Sequence, residues 1–377
     1  MRTVHVVVPG DVDDPAVPSG GNAYDRSVCR GLADAGWAVE LTPVLGAWPR
    51  PGAGARAALA ATLAGRPDGA LVLLDGLVAC GVPDVVVPQA ARLALVVLVH
   101  LPLGDEAGAA DLTVGEGAVL HAAGAVVATS PWTARRLVEV HGLAADRVHV
   151  AAPGVDPAPP ARGTDGAGGL LCVGSITPTK GQDLLVDALA AVGDLPWTCR
   201  LVGPVRRDPA HVARVRAAIT AHGLGDRVRV TGPLTGAPLA AAFDAADLLV
   251  LPSRAEAYGM VVTEALARGV PVLAAAVGGV PETLGVTEIL DDSATLGDGP
   301  GILVPPADVD ALAAALRRWL RHPEQREQLR RAAGARRCTL DGWEVTTRCL
   351  VTVLNSTVLN STRLDRTGPA RLPGTPG

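Results

Sequence analysis

The strongest constraint on this chain is its rhythm. Short apolar-rich runs, each four to seven residues long, alternate with helical patterns from one end to the other. Val4–Val8, Leu71–Leu74, Leu93–Val99 and Ala125–Ala128 read as strands buried on both faces, and Ala23–Ala35 and Thr133–His141 read as helices between them. The second half repeats the scheme. Leu170–Val173, Thr198–Val202, Arg227–Thr231, Asp247–Leu251 and Pro271–Ala275 read as strands, and Lys180–Val192, Pro209–His222 and Met260–Arg268 as helices. Such alternation implies parallel, doubly wound α/β sheets. A Pro/Gly-rich stretch from Pro153 to Gly169 interrupts it near the middle of the 377 residues.

The expected organisation is therefore two Rossmann-like domains facing a cleft. Residues 1–157 form the first, 158–169 the linker and 170–340 the second. Residues 341–354 form a C-terminal helix crossing back to the first domain, and 355–377 a disordered tail. That tail holds the duplication VLNST-VLNST, and its sequons at Asn355 and Asn360 are read as chance matches. Ligands of such sheets bind where the strands end, at their carboxyl edges.

Charge and composition exclude several functions. Net charge is −5, and the first half, up to Asp156, holds more acids than bases. No basic stripe is available for nucleic acid. The six cysteines include no Cys-x-x-Cys pair, so neither a structural metal nor a disulfide framework is expected. The longest apolar stretch, Val85–Leu103, is broken by Pro88, Gln89 and Arg92, too interrupted to span a bilayer. Met1 leads straight into a strand pattern with no cleavable signal. A cytoplasmic enzyme, at most peripheral to the membrane, is the expectation.

The chemistry concentrates in PSRAEAYGMVVTEALARGVPVLA, Pro252–Ala274. A strand ends, a loop carries Glu256, a helix begins near Gly259, and Glu264 follows about one and a half turns later. A helix start offers free N–H groups to an anion, and glycine admits close approach. Two carboxylates flanking such a point would accept hydroxyls on either side of a diphosphate. Lys180 is the only lysine among 33 basic residues, and a compact cation on a flexible stem suits a phosphate oxygen. Asp11-Val12-Asp13 follows the first strand and reads as turn chemistry rather than as a metal site.

The segment resembles the E-x7-E signature of glycosyltransferase family 4, the retaining enzymes of GT-B fold. The resemblance runs over about residues 1–350. It includes SGGNAYDRSVCRGLADAGWAVEL from Ser19, VHLP around His100, ATSPWTARRLV from Ala128, and APGVD from Ala152. It continues through VGSITPTKG from Val173, GGVPE from Gly278 and GILVPPADVDALAAAL from Gly301. It implies a nucleotide-sugar donor, an acceptor hydroxyl, retained anomeric configuration and no metal or other cofactor. It also implies roles. Gly20 and Gly21 form a glycine loop near the donor phosphates, and His100 lies beside the sugar. Lys180 binds the diphosphate, Glu256 the sugar hydroxyls and Glu264 the ribose. The backbone of Tyr258, Gly259, Met260 and Val261 meets the phosphates.

Two departures stand out. Tyr258 replaces a common Phe, and Ser175 replaces the arginine that usually follows the glycine of the VG-R segment. Ser175, Thr177 and Thr179 could donate hydrogen bonds there, or Arg254 or Arg207 could supply the charge. Two other readings remain open at this level: a disaccharide phosphorylase or synthase on the same fold, and a non-catalytic sugar-nucleotide-binding relative.

Overall fold

In the computed structural model, residues 2–105, 110–164, 168–286 and 299–366 are described. Twelve strands among them form two all-parallel sheets. The first contains β1 (Thr3–Pro9), β2 (Ala38–Val44), β3 (Leu71–Asp75), β4 (Ala94–Val99), β5 (Ala125–Ala128) and β6 (Val148–Val150), in the order β2-β1-β3-β4-β5-β6. The second contains β7 (Gly169–Val173), β8 (Thr198–Val202), β9 (Val228–Gly232), β10 (Leu248–Leu251), β11 (Val272–Ala275) and β12 (Gly301–Val304), in the order β12-β11-β10-β7-β8-β9. This is the doubly wound arrangement expected. The strands β3, β4, β5, β10, β11 and β12 are buried throughout, because helices cover both faces of each sheet. Two apolar clusters line each sheet.

In each sheet the strand order reverses once, which opens a crevice at the carboxyl ends. The reversal falls between β1 and β3 in the first sheet and between β7 and β10 in the second. The segments after β1, β7 and β10 carry most of the candidate residues described below, and His100 follows β4.

The chain passes between the two sheets twice, and the passes bond to each other. The Val155 N–H donates to the Asp341 carbonyl at 3.0 Å, and Thr346 Oγ1 donates to the Ala152 carbonyl at 2.6 Å. The last helix, Trp343–Arg366, then lies on the first sheet, where Leu350, Val353 and Leu354 join Tyr24, Val28 and Leu32 in one cluster. Expected as a disordered tail from residue 355, the chain instead continues as helix through Arg366. The duplicated VLNST keeps a helical spacing of apolar groups, and Leu354 and Thr357 are buried. Residues 367–377, and 165–167 of the linker, lie outside the described residues. No described helix is long and apolar enough to cross a membrane.

Candidate functional site

Lys180 and Glu256 come from the two sides of the second sheet's reversal. Lys180 follows β7, and Glu256 follows β10. Their side chains meet, with Nζ 2.5 Å from Oε2, both partly buried, and Ser253 Oγ lies 3.3 Å from the same oxygen. Lys180 does not open a helix, as the sequence pattern suggested. It closes a 3-10 turn, Pro178–Lys180, and left-handed Gly181 (φ 68°) separates it from the helix Gln182–Ala191. Arg254 staples this turn to the Glu256 loop. Its guanidinium pairs with both Asp183 oxygens at 2.9 and 2.7 Å and donates to the Pro178 carbonyl at 2.6 Å. That guanidinium is thus committed to the frame. Arg207 stands 3.8 Å from Asp11 of the first domain.

The Glu256 loop rests on glycines. At Gly278 (φ 54°) a Cβ would fall 1.8 Å from the Glu256 carbonyl oxygen, and at Gly279 one would fall 2.1 Å from that of Ala257. The Gly279 N–H donates to the Glu256 carbonyl at 3.1 Å. Only residues without side chains allow this approach. The motif GGVPE is therefore a seat for the loop. Glu282 within it reaches the first domain, accepting the Trp132 N–H at 3.1 Å and pairing with Arg135.

Gly259 (φ 83°) caps the helix Met260–Leu266, so Met260 and Val261 form its first turn. Tyr258 donates to the Pro153 carbonyl at 3.3 Å, which ties the helix start to the interdomain crossing, and burial pushes its hydroxyl up to about 12. Glu264 is part-buried one turn on. Burial raises its carboxyl to about 7, with Arg268 opposing and Asp156 adding. Its carboxylate has no hydrogen-bond partner among the described residues and so offers free acceptors. Ser175 follows β7, and its carbonyl accepts from Gln182 Nε2 at 3.0 Å.

In the first domain, Gly20 and Gly21 are not a loop. They are the first residues of the helix Gly20–Asp34, because Ser19 Oγ accepts the Asn22 N–H at 3.1 Å and caps it. Their lack of side chains still matters. A Cβ at Gly20 would lie 3.4 Å from Met260 Sδ of the second domain, and one at Gly21 would lie 3.3 Å from the His100 ring. The two glycines therefore set His100 near the start of the helix Met260–Leu266. Beside them, Ser130 Oγ donates to the Ala257 carbonyl at 2.7 Å, another contact between the domains.

His100 follows β4 and stands over two acids that sequence reasoning missed. Nε2 lies 3.1 Å from Asp25 Oδ1 and 3.5 Å from Asp75 Oδ2. Gly21, Tyr24 and Asp25 share one helix face, and Asp75 closes β3. The Tyr24 ring meets the His100 ring edge-on at 5.2 Å. Burial alone would lower the basicity of His100; the two carboxylates outweigh it and raise the imidazole to about 10. Burial lifts Asp25 to about 7, with His100 opposing and Asp75 adding. Among the described residues, this trio is the group whose donor atoms lie close enough together to hold a metal ion. A protonated imidazole satisfies the same carboxylates. Asp11 and Asp13 sit in the turn after β1, where the Asp14 N–H bonds the Asp11 carbonyl at 3.0 Å.

A separate hollow of about 590 Å³ lies at the opposite end of the first sheet, walled by Arg2, His5, Glu40 and Arg66. There His5 and Arg66 face their own carboxylate, Glu40, at 2.9 and 3.0 Å. Among the described residues, no carboxyl end of a strand points into it.

A sequence profile described as glycosyl transferases group 1 matches residues 165–336, the stretch that holds Lys180, Glu256 and Glu264. Similar curated proteins include a D-inositol 3-phosphate glycosyltransferase from Kineococcus radiotolerans, 36% identical over 68% of this chain and 62% of the relative. Another is D-inositol 3-phosphate glycosyltransferase 1 from Catenulispora acidiphila, 32% identical over 74% of this chain and 68% of the relative. The chain thus spans about two thirds of the length of these relatives. Among solved structures, a sucrose-phosphate synthase from Thermosynechococcus elongatus superposes with a TM-score of 0.73 at 23% identity, covering 97% of this chain and 99% of the other. The Anabaena protein HepE in complex with UDP-glucose superposes with a TM-score of 0.74 at 18% identity, covering 94% and 100%. These superpositions establish the GT-B fold.

Proposed function

Because this chain belongs to the glycosyl transferases group 1 family, we propose that it moves a hexose-type sugar from a UDP- or GDP-sugar to an acceptor hydroxyl, retaining the anomeric configuration and using no metal ion. One observation carries the donor reading. Lys180, Glu256 and the start of the helix Met260–Leu266 meet at the point where the second sheet reverses. HepE, with the same fold, has been solved with UDP-glucose, which makes uridine donors the first to test.

In this reading the diphosphate takes Lys180, the Ser175 hydroxyl and the N–H groups of Tyr258 to Val261. Glu256, held by Lys180, accepts the sugar hydroxyls, and Glu264 accepts the ribose hydroxyls. Gly20 and Gly21 leave room for the phosphates, and His100 stands beside the sugar. Lys180 gives one of its three N–H bonds to Glu256 and keeps two for phosphate oxygens. Cation and oriented amides stabilise charge growing on the departing diphosphate. That oxygen then takes the acceptor's proton on the face it leaves, so the C–O bond to the acceptor forms where the C–O bond to phosphate breaks. The acceptor side belongs to the first domain. The names of the curated relatives make a phosphorylated polyol the first acceptor to assay.

A thermal-shift screen of UDP-, GDP- and ADP-sugars, followed by donor hydrolysis, tests the donor assignment. Turnover is expected to survive EDTA. Activity lost on chelation and restored by Mg²⁺ or Mn²⁺ would contradict the metal-free reading.

The two glutamates should separate. Glu264→Gln is expected to weaken UDP binding at pH 8 by about 1.5–3 kcal/mol, since a charged acceptor is lost. Glu256→Gln should leave UDP binding undiminished and lower donor turnover. Because free Glu264 ionises at about 7 and only its charged form accepts both hydroxyls well, wild-type affinity should fall about tenfold per pH unit below 7. Titration calorimetry at pH 8 and 5.5 reads this. The Glu264→Gln protein is the control for titration of the phosphate itself. Identical behaviour of both variants toward UDP would refute the division of roles.

A further inference from the structure

The roles above leave unused the two acids beneath His100. Asp25 is 2% exposed and Asp75 4%, so neither reaches the cleft. Asp25 Oδ2 is buried with no donor facing it. Such an oxygen is costly to leave without a positive partner, and the donor atoms of Asp25, Asp75 and His100 all lie within 4.8 Å of one another. The remaining Asp25 oxygen and Asp75 Oδ2 both face His100 Nε2.

Among the described residues, the other groups against the ring are neutral. Gly21 lies on it, and Tyr24 meets it edge-on while spending its hydroxyl on the Ala151 carbonyl at 2.8 Å. Thr129 Oγ1 donates to the His100 backbone carbonyl at 3.1 Å. Behind Asp25 on the same helix, the Cys29 thiol is pushed up to about 12 by burial and stays protonated. Cys349 faces Tyr24 from the last helix. No cation competes with the ring for the two acids among the described residues.

We propose that Asp25 and Asp75 are positioning residues that hold His100 as a fixed imidazolium, with Nε2–H donated to the acids and Nδ1–H turned to the cleft. Nδ1 has no partner among the described residues, and the side chain is 22% exposed. The purpose rests on the transferase reading. The first domain then brings a cation and a donor to the sugar and diphosphate, where Ser175 leaves the second domain one arginine short. An imidazolium cannot accept the acceptor's proton. The triad thereby removes, as a general base, the group of the first domain that the family resemblance places beside the sugar.

The test is a titration of ¹⁵N-histidine-labelled protein by long-range ¹H–¹⁵N spectra between pH 5.5 and 9.5. The eight histidines are resolved by the signal lost in His100→Gln. His100 is expected to keep both protons through pH 9. In Asp25→Asn, which preserves shape, its midpoint should fall by about 1–3 units. The alkaline limb of kcat/KM for UDP-glucose hydrolysis should move down by the same interval. A neutral His100 at pH 7.5 in the wild-type protein overturns the proposal. So does one bound divalent ion per chain found by elemental analysis of the purified protein. The spectra need neither donor nor turnover. If His100 stays doubly protonated while no nucleotide sugar is hydrolysed, the triad stands and the transferase reading falls.

Discussion

Replacing Lys180 by methionine is expected to lower turnover of the sugar donor by about 10²–10³-fold, the loss typical when one preorganised charge donor is removed from a transition state. Methionine keeps the length of the stem, which runs over Gly174 with Cγ and Cδ 3.5 and 3.6 Å from where a Cβ would stand. What disappears is the charge. On the proposed roles the loss is twofold, because the diphosphate would forfeit its cation and Glu256 would forfeit the partner 2.5 Å away that holds it. Lys180→Arg should restore little, since a planar fork cannot place one nitrogen against Glu256 and two bonds on phosphate as a point charge does. Steady-state kinetics on the hydrolysed donor reads both variants. Methionine within about threefold of wild type would remove Lys180 from the chemistry.

The second large effect comes from a residue with no side chain of its own. Gly278→Ala places a methyl 1.8 Å from the Glu256 carbonyl oxygen at a φ of 54°. Backbone must move, at a cost of about 2–4 kcal/mol from overpacking and the left-handed conformation together. The segment displaced carries Glu256 and leads into Gly259. A shift near 1 Å at a positioning group costs on the order of 10²-fold in rate. The variant should therefore unfold at lower urea and turn over donor about 10²-fold more slowly. Gly285→Ala is the matched control: it has positive φ (74°) but no close backbone neighbour, so it should lose stability and keep turnover. Equal rate losses in the two would show that Gly278 has no special hold on Glu256.

The architecture was legible because its central strands are apolar on both faces, as β4 (ALVVLV) and β10 (LLVL) are. Edge strands were harder. β2 carries Glu40 and Thr42 on a half-exposed surface, and β6 has only three residues, so neither shows the buried-strand pattern. Helix starts were misplaced where glycine decides them. Ser19 begins a helix through two glycines, and Gly181 ends a turn that periodicity alone would merge with the next helix.

Of the candidate site, Lys180, Glu256 and Glu264 were singled out through their spacing and resemblance. Their mutual geometry was not, because the Lys180–Glu256 pair joins loops 76 residues apart. Asp25 was missed although a signal existed. Val28 and Leu32 lie three and seven positions on, so Asp25 occupies the inward face of its helix. Asp75 likewise ends an unbroken apolar run. A buried acid at the end of a strand, next to the reversal of the sheet, is a functional signature that apolar patterning alone passes over.

The central claim is that departure of the diphosphate leads and that the new bond forms on the same face. Inversion would need a base behind the sugar carbon, and double displacement a carboxylate nucleophile there. Glu256 is bound to Lys180, Glu264 lies beyond the first turn of the helix Met260–Leu266, and the first domain presents His100 over two acids. The stereochemistry of the first-formed product is therefore decisive. It can be read by time-resolved proton NMR of an α-linked UDP- or GDP-sugar, following the anomeric signal of the transferred or hydrolysed sugar before it mutarotates. The account predicts that the α-anomer appears first. A β-anomer formed first from an α-linked donor would contradict the front-face mechanism and the donor-site roles built on it.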